Sequence, residues 1–481
     1  MSAVSASSPQ IVASRANPVV TVPVPLAELF AVVTEYLDAG RLDAAERMLK
    51  HVLAVYPTLP DVLHMMGLIA FRRGQIPEAG ALMERAITGG GTKSAHFRNL
   101  SEVYRLQGRL DEALAMARRA IALDPSDPLG PFNLGMVQYD RLHITACVAA
   151  ARHSLDLRPN LPQAHMKLAQ AFLLSGQFAQ GWEHYEWRYQ IPGAQPLMPP
   201  SFTAHHMRPQ WDGRPLGDQR LLLIGDQGFG DVVMFARYIP WAREQCPEIV
   251  LACSAEMKPI MEATFPGVQL INRWDDCPDH AAFIPLSGLP RLHGTRLGNI
   301  PGVTPYMHAD PARAKAWRER LDAQIPQGLR RVGIAWAGRP THNNDLNRSI
   351  ALQTLAPIAA LDGIALVSLQ KGPATAQMAS YAGMTPLIDL DKQIGDFADT
   401  MAIIDGLDLV VTVDTAIGHF AGAMGKPAWI MLPYAPDWRW LLNRDDTPWY
   451  PSLRLFRNPA PKRWDLLVPE VAAELQRFVA A

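Results

Sequence analysis

Two patterns of apolar and polar positions divide this chain. From about residue 26 to 192, apolar positions form the single faces of paired helices. Five pairs can be phased, covering about 26–59, 60–93, 94–127, 128–161 and 162–192. Each pair has an apolar face that it cannot bury alone, so stacked neighbours must supply the core. From Arg220 the pattern becomes strand, turn, helix. Leu221–Ile224 is a short apolar run suited to a buried parallel strand. Ile249–Cys253 and Ala282–Pro285 read as further strands, and a second set comprises Arg331–Trp336, Ile364–Leu369 and Leu407–Val413. Alternating strands and helices imply α/β domains with parallel sheets. Two in succession would face each other across a cleft, and ligands of such sheets bind beyond the carboxyl ends of the strands.

Small residues in the helical part fall on a ruler. Gly40, Gly74, Gly108 and Gly176 share one 34-residue grid, with Leu142 in the slot between the last two. Ala45, Ala79, Ala113, Cys147 and Gly181 share the period, as do Gly67, Ser101, Gly135 and Ala169. A 34-residue period with small residues where two helices touch is the signature of tetratricopeptide repeats, which hold other proteins. Asn99 and Asn133 are also one period apart on first helices. A carboxamide offers both a donor and an acceptor, which suits an extended peptide, although ordinary polar surface explains the pair as well.

Composition narrows the class. Of 481 residues 48% are hydrophobic, enough for a large core, and the formal net charge is −1. That balance argues against a general nucleic-acid binder or a polybasic membrane-surface protein. No apolar run approaches the length of a membrane span. Residues 1–25 lack the basic start and compact apolar core of a signal peptide and are expected to form a flexible leader. The four cysteines, Cys147, Cys246, Cys253 and Cys277, show no CxxC spacing. Neither a metal site nor a disulfide is expected, and the chain fits a reducing cytoplasm. Six prolines between Pro192 and Pro215 mark residues 193–217 as a linker, although Pro209–Gly213 has the character of a segment that packs on the next domain.

Four polar clusters at strand ends are candidates for chemistry. In the first, Gly225–Asp231, Gly228 and Gly230 permit a tight turn and close approach of a ligand, and Asp231 falls at the mouth of the cleft. A helix cap alone would also explain an aspartate there. In the second, an apolar strand ends in Asp414-Thr415 and a helix begins, with Gly418 and His419 in its first turn. Free N–H groups at that helix start make a site for phosphate. The alternative is that Asp414 or Thr415 caps the helix and His419 packs beneath the cleft. The third, Gly338–Ser349, carries Arg348, whose planar fork suits a diphosphate, against the alternative of a solvated loop. The fourth is Gln370-Lys371, placed to meet a nucleotide.

Together these residues resemble the bacterial heptosyltransferase-like glycosyltransferases, most closely those fused to a tetratricopeptide array. The carrying motifs are Gln227-Gly228-Phe229-Gly230-Asp231, Val413-Asp414-Thr415 with His419, Trp438-Arg439-Trp440, and Pro448–Arg457. The resemblance implies an α plus α/β chain: a tetratricopeptide α-superhelix, then a GT-B transferase of two Rossmann-like halves. The halves would span 218–327 on the acceptor side and 328–481 on the nucleotide-sugar side. It implies an inverting transferase using a nucleotide-sugar co-substrate, with no cofactor and no essential metal. Asp231 matches the family's general base, and Asp414, Thr415 and His419 match its donor site. Arg348 falls near the lysine that meets the donor phosphates in that family. Ala416 stands where the family has glycine, and Gln227 where it often has a smaller residue, which leaves the sugar open. The expected acceptor is a protein held by the repeats, with flagellin one case. The alternatives are transfer to a cell-envelope saccharide, or a scaffold that has lost catalysis.

Overall fold

Small residues on the period let paired helices close on each other. The computed structural model describes residues 25–206, 208–302, 304–342 and 344–480. Apart from Pro25, the expected leader lies outside the described residues. The chain divides into two compact units, Met1–Thr92 and Lys93–Ala481.

In the first unit the pairs are α1 (Leu26–Asp38) with α2 (Leu42–Val55), and α3 (Pro60–Arg72) with α4 (Ile76–Thr88). Val33, Leu37, Ala45, Leu49, Val62 and Ile69 form their core. A Cβ on Gly67 would sit 2.7 Å from Met83 Cγ and 3.3 Å from the Ala79 carbonyl, so α3 and α4 cross where neither has room for bulk.

The second unit begins with three more pairs: α5 (Ser94–Gln107) with α6 (Leu110–Leu123), α7 (Leu129–Asp140) with α8 (Ile144–Leu157), and α9 (Pro162–Leu174) with α10 (Phe178–Tyr185). At the crossing of α5 and α6 the small residue is Ser101, whose buried hydroxyl donates to the Ala113 carbonyl at 2.8 Å. The turn glycines Gly40, Gly74, Gly108 and Gly176 all have φ between +69° and +79°. Leu142, in the same slot, is forced to φ +59°. The irregular fourth repeat therefore keeps the turn and accepts the left-handed strain that glycine avoids.

Two parallel sheets follow. The first has the order β3-β2-β1-β4, with β1 (Leu221–Ile224), β2 (Ile249–Ala252), β3 (Gln269–Ile271) and β4 (Ala282–Pro285). Helix α11 (Pro200–His206) precedes it, and α12 (Phe229–Ala236), α13 (Ile239–Gln245), α14 (Lys258–Thr264) and α15 (Leu289–His293) connect and flank its strands. The proline-rich stretch before β1 extends this sheet. Trp211 N–H donates to the Phe283 carbonyl at 2.8 Å, and Phe283 N–H donates back to Pro209 at 3.1 Å.

After α16 (Pro311–Gln324), the second sheet has the order β10-β9-β8-β5-β6-β7. Its strands are β5 (Arg330–Ala335), β6 (Ile364–Ser368), β7 (Leu387–Ile388), β8 (Leu409–Val413), β9 (Ala428–Leu432) and β10 (Leu453–Arg457). Its helices are α17 (Asp345–Arg348), α18 (Ala356–Ala359), α19 (Phe397–Asp405), α20 (Ala416–Ala423) and α21 (Trp464–Ala480). Strands β1, β2, β6, β8 and β9 are buried throughout, as parallel sheets covered on both faces require.

The last repeat joins the sheets in one core. Phe178, Trp182 and Tyr185 of α10 belong to the same buried cluster as Phe235, Trp438, Trp449 and Tyr450. The buried Trp182 Nε1 donates to the Thr295 carbonyl at 3.2 Å. Among the described residues no helix is long and apolar enough to cross a membrane.

Candidate functional site

Strand order decides where each sheet can hold a ligand. In the first, β1 has β2 on one side and β4 on the other, so the chain reverses its winding beside β1. In the second the reversal lies between β5 and β8. Crevices open beyond the carboxyl ends of strands at such points. Asp231 in the first turn of α12 follows β1, Arg348 at the end of α17 follows β5, and Asp414-Thr415 directly follow β8.

The starts of α12 and α20 lie against each other. A Cβ on Gly230 would meet His419 Cδ2 at 2.7 Å and Ala416 Cα at 3.4 Å, so glycine is required for this approach. Gly418 serves the sheet beneath: a Cβ there would meet Ile430 Cδ1 at 2.7 Å.

Asp231 both caps and bridges. Its Oδ2 accepts from Gly228 N–H at 2.9 Å. Its Oδ1 is in an ion pair with Arg439 Nη2, and Arg439 Nη1 donates to Asp437 Oδ1 at 2.7 Å. Burial pushes the Asp231 carboxyl above its ordinary value, although Arg439 and the Gly228 N–H act the other way. Burial opposes the charge on Arg439, but Asp231 and Asp437 hold it firmly protonated. Asp231 is not the N-cap of α12, which is Gly228, but its third residue, whose side chain reaches back to the Gly228 N–H; the ion pair is an addition the sequence did not suggest.

Beside this bridge, Asp414 is buried at the end of β8. Burial first, and then the charge of Asp437, pushes its pKa up to about 6, against the pull of Arg348, Trp440 and Arg439. Thr415 is the N-cap residue of α20, and its Oγ1 lies 3.2 Å from Thr412 Oγ1. His419 is 5% exposed, and its Nδ1 is 3.0 Å from the Tyr450 hydroxyl. Burial, reinforced by Arg439, Arg237 and Arg348, holds it well below the usual histidine range and therefore neutral. Arg348 ends α17, its Nε 3.6 Å from Asp345 Oδ1. The side chain of Asn347 next to it donates to the Ala435 carbonyl at 3.2 Å, tying α17 to the segment that leads into Asp437.

Other expected residues serve the scaffold. Gln370 is buried with its whole amide committed. Oε1 accepts from Trp336 and Ala337 N–H at 3.0 and 2.9 Å, and Nε2 donates to the Ala337 and Lys371 carbonyls at 3.0 and 2.9 Å. It braces the turn after β5 instead of meeting a nucleotide. Lys371 Nζ bonds the Asp391 carbonyl at 2.5 Å and lies 3.0 Å from Asp391 Oδ1. Asn99 and Asn133 lie on α5 and α7, and Asn133 Nδ2 donates to the Arg98 carbonyl at 3.0 Å, which fastens neighbouring repeats.

Sequence reasoning gave no role to Asp226, Asp437 or Arg439. Asp226 is a structural carboxylate: it accepts from Tyr189 Oη and Ser287 Oγ, both at 2.5 Å, and from Ser287 N–H at 3.1 Å. The Trp438-Arg439-Trp440 motif held a clue to Arg439, since an arginine between two tryptophans is set up for stacking. Its guanidinium lies 4.3 Å from the Trp438 ring centroid.

Comparison with known proteins accounts for the repeats. Residues 32–94 and 64–128 match the tetratricopeptide repeat family, whose stacked helices present a surface to protein partners. Protein FlbA of Caulobacter vibrioides is 29% identical over 392 residues, covering 75% of this chain and 63% of FlbA. The TPR repeat-containing thioredoxin TTL4 of Arabidopsis thaliana is 23% identical over 189 residues, covering 39% of this chain and 28% of TTL4. The chain thus spans less than two thirds of the length of these curated relatives. Among solved structures, MamA from Desulfovibrio magneticus RS-1 aligns with 35% of this chain and 97% of its own at 17% identity, with a TM-score of 0.31. YrrB, described as a TPR protein with an unusual peptide-binding site, aligns with 34% of this chain and 84% of its own at 15% identity, with a TM-score of 0.29. This protein therefore carries N-terminal tetratricopeptide repeats, followed by α/β structure built on two parallel sheets.

Proposed function

We propose that this chain is an inverting glycosyltransferase of GT-B architecture, moving a sugar from a nucleotide-sugar to a protein acceptor held by the repeats. The observation that carries the reading is the contact of Gly230 with Ala416 and His419, which sets the start of α12 against the start of α20. Asp231 lies one residue after Gly230, and Asp414 and Thr415 directly precede Ala416, which is what supports a shared site for them.

In this reading the acceptor hydroxyl attacks the anomeric carbon opposite the leaving diphosphate. Asp231 takes the hydroxyl proton as the new bond forms, and burial raises its affinity for that proton. Charge grows on the departing diphosphate, where the N–H groups opening α20 and the Arg348 guanidinium stabilise it. Neutral His419 supports the start of α20 without adding a proton of its own to the balance. The family resemblance, and not the fold, suggests flagellin as one acceptor and the absence of an essential metal.

The test is transfer by the full chain with a panel of nucleotide-sugars, comparing wild type with Asp231→Asn. The isosteric change keeps an acceptor for the Gly228 N–H, so the fold should persist while transfer falls by orders of magnitude. Undiminished transfer removes Asp231 from the reaction.

A further inference from the structure

The site holds three carboxylates, Asp231, Asp414 and Asp437, and two guanidiniums, Arg348 and Arg439, that act on one another. A diphosphate entering such a set must draw its counter-charge away from a carboxylate, because unpaired buried charge is costly. Arg439 is built for such an exchange. Its guanidinium carbon lies over the Trp438 ring, 4.3 Å from the centroid. Nη1 is anchored on Asp437 Oδ1 at 2.7 Å, and Nη2 reaches Asp231 Oδ1. Trp440, one residue on, lies 5.4 Å ring to ring from His419 in α20. Arg439 also acts through its charge on His419 of α20, so the guanidinium that holds the carboxylate on α12 is felt at that helix as well.

We propose that Arg439 is exchanged between two anions, the Asp231 carboxylate and the diphosphate of a nucleotide-activated sugar, so that donor binding releases Asp231 to receive the acceptor proton. Nη1 stays on Asp437 while Nη2 changes partner. The base is thereby quenched until a donor is seated, which restrains misdirected chemistry. No covalent bond changes in this step. The inference rests on the transferase reading and adds Arg439 to it as a positioning residue for the base and a binding residue for the donor.

The test is calorimetric titration of the full chain with uridine, cytidine, guanosine, adenosine and thymidine diphosphates, each singly. The proteins are wild type, Asp231→Asn, Arg439→Lys, Arg439→Gln and the Asp231→Asn/Arg439→Gln double variant. Removing the competing carboxylate should tighten the best-bound nucleotide roughly tenfold in Asp231→Asn, at the lower end of couplings measured between close charge pairs. Arg439→Gln should weaken it by a similar factor and Arg439→Lys by less. In the Arg439→Gln background the gain from Asp231→Asn should vanish. A purely structural ion pair predicts no affinity gain in Asp231→Asn, and that result overturns the exchange while leaving the transferase reading intact. An equal gain in the Arg439→Gln background overturns it too. If Arg439→Gln does not fold, the Asp231→Asn gain and the Arg439→Lys loss still decide. Wild type that binds none of the five removes the transferase reading, and the exchange with it.

Discussion

The hydroxyl of Tyr185, on the last helix of the repeats, donates to Gln227 Oε1 at 3.1 Å, inside the turn that leads to Asp231. The same helix carries Trp182, whose ring meets Trp438 edge-on at 5.3 Å. One repeat helix thus braces both segments that meet in the Asp231–Arg439 pair.

The Tyr185–Gln227 bond explains why a non-glycine residue stands at φ +66° in the turn. Left-handed backbone costs about 1–2 kcal/mol for a residue with a side chain. Tyr185→Phe should lower stability by about 1 kcal/mol in the wild type. In a Gln227→Gly background, where the strain and the acceptor are both gone, the same change should cost close to nothing. Equal costs in the two backgrounds, measured by denaturant unfolding, would separate the hydroxyl from the turn.

Gly230→Ala places a methyl 2.7 Å from a buried histidine ring that cannot retreat freely. Overpacking of this kind costs about 1–3 kcal/mol. The account expects a stability loss in that range, with transfer reduced more than stability because the two helix starts are pushed apart. Full transfer at wild-type stability would contradict the close contact.

Asp226→Ala should be among the most damaging single changes in the first sheet. It strips the acceptor from Tyr189, Ser287 Oγ and Ser287 N–H at once, and leaves Arg188 beside it without the carboxylate at 3.9 Å. Loss of a buried charged acceptor costs about 3 kcal/mol or more. Circular dichroism melts of Asp226→Ala and Asp226→Asn should order as wild type, then Asn, then Ala.

Asp414 makes a pH prediction whose sign is opposite to the usual carboxylate. Its folded pKa, about 6, lies above the ordinary 3.8, so the folded state binds this proton before the unfolded chain does. Its ionisation therefore weakens the fold at neutral pH, and stability is regained as pH falls from above 6 toward 4. Asp414→Asn removes the titration. Relative to that variant, the wild type should gain about 2 kcal/mol between pH 7 and pH 4.5. His419 works the other way: it is neutral when folded, so acid favours unfolding below its ordinary pKa of 6.5 in both proteins, and the comparison cancels it. A constant difference between the two proteins across that range would show Asp414 to be solvated.

The repeats were legible because the constraint is local. Turn glycines and the small residues at each helix crossing recur at a fixed distance, and even Leu142 kept the turn its slot prescribes. The strands from Leu221 and Arg331 were legible as apolar runs between turn residues. The charge pair at the site was not, because Asp231 and Arg439 lie 208 residues apart and meet only through tertiary packing, to which α10 contributes by touching both segments. Gln370 illustrates the reverse error: a polar residue at a strand end suits a ligand or an orphaned loop backbone equally, and here the backbone takes all of it. The proline-rich stretch at 193–217 reads as a linker by composition, yet Pro209 and Trp211 bond to β4. Proline forbids a long helix there without forbidding an edge-strand contact.

The most direct measurement is the intact mass of proteins recovered with this chain from cells carrying either wild type or Asp231→Asn. The account predicts a partner bound by the repeats in both cases, bearing sugar increments with wild type and none with the variant. A partner of identical mass in the two preparations would mean that the chain holds proteins without glycosylating them.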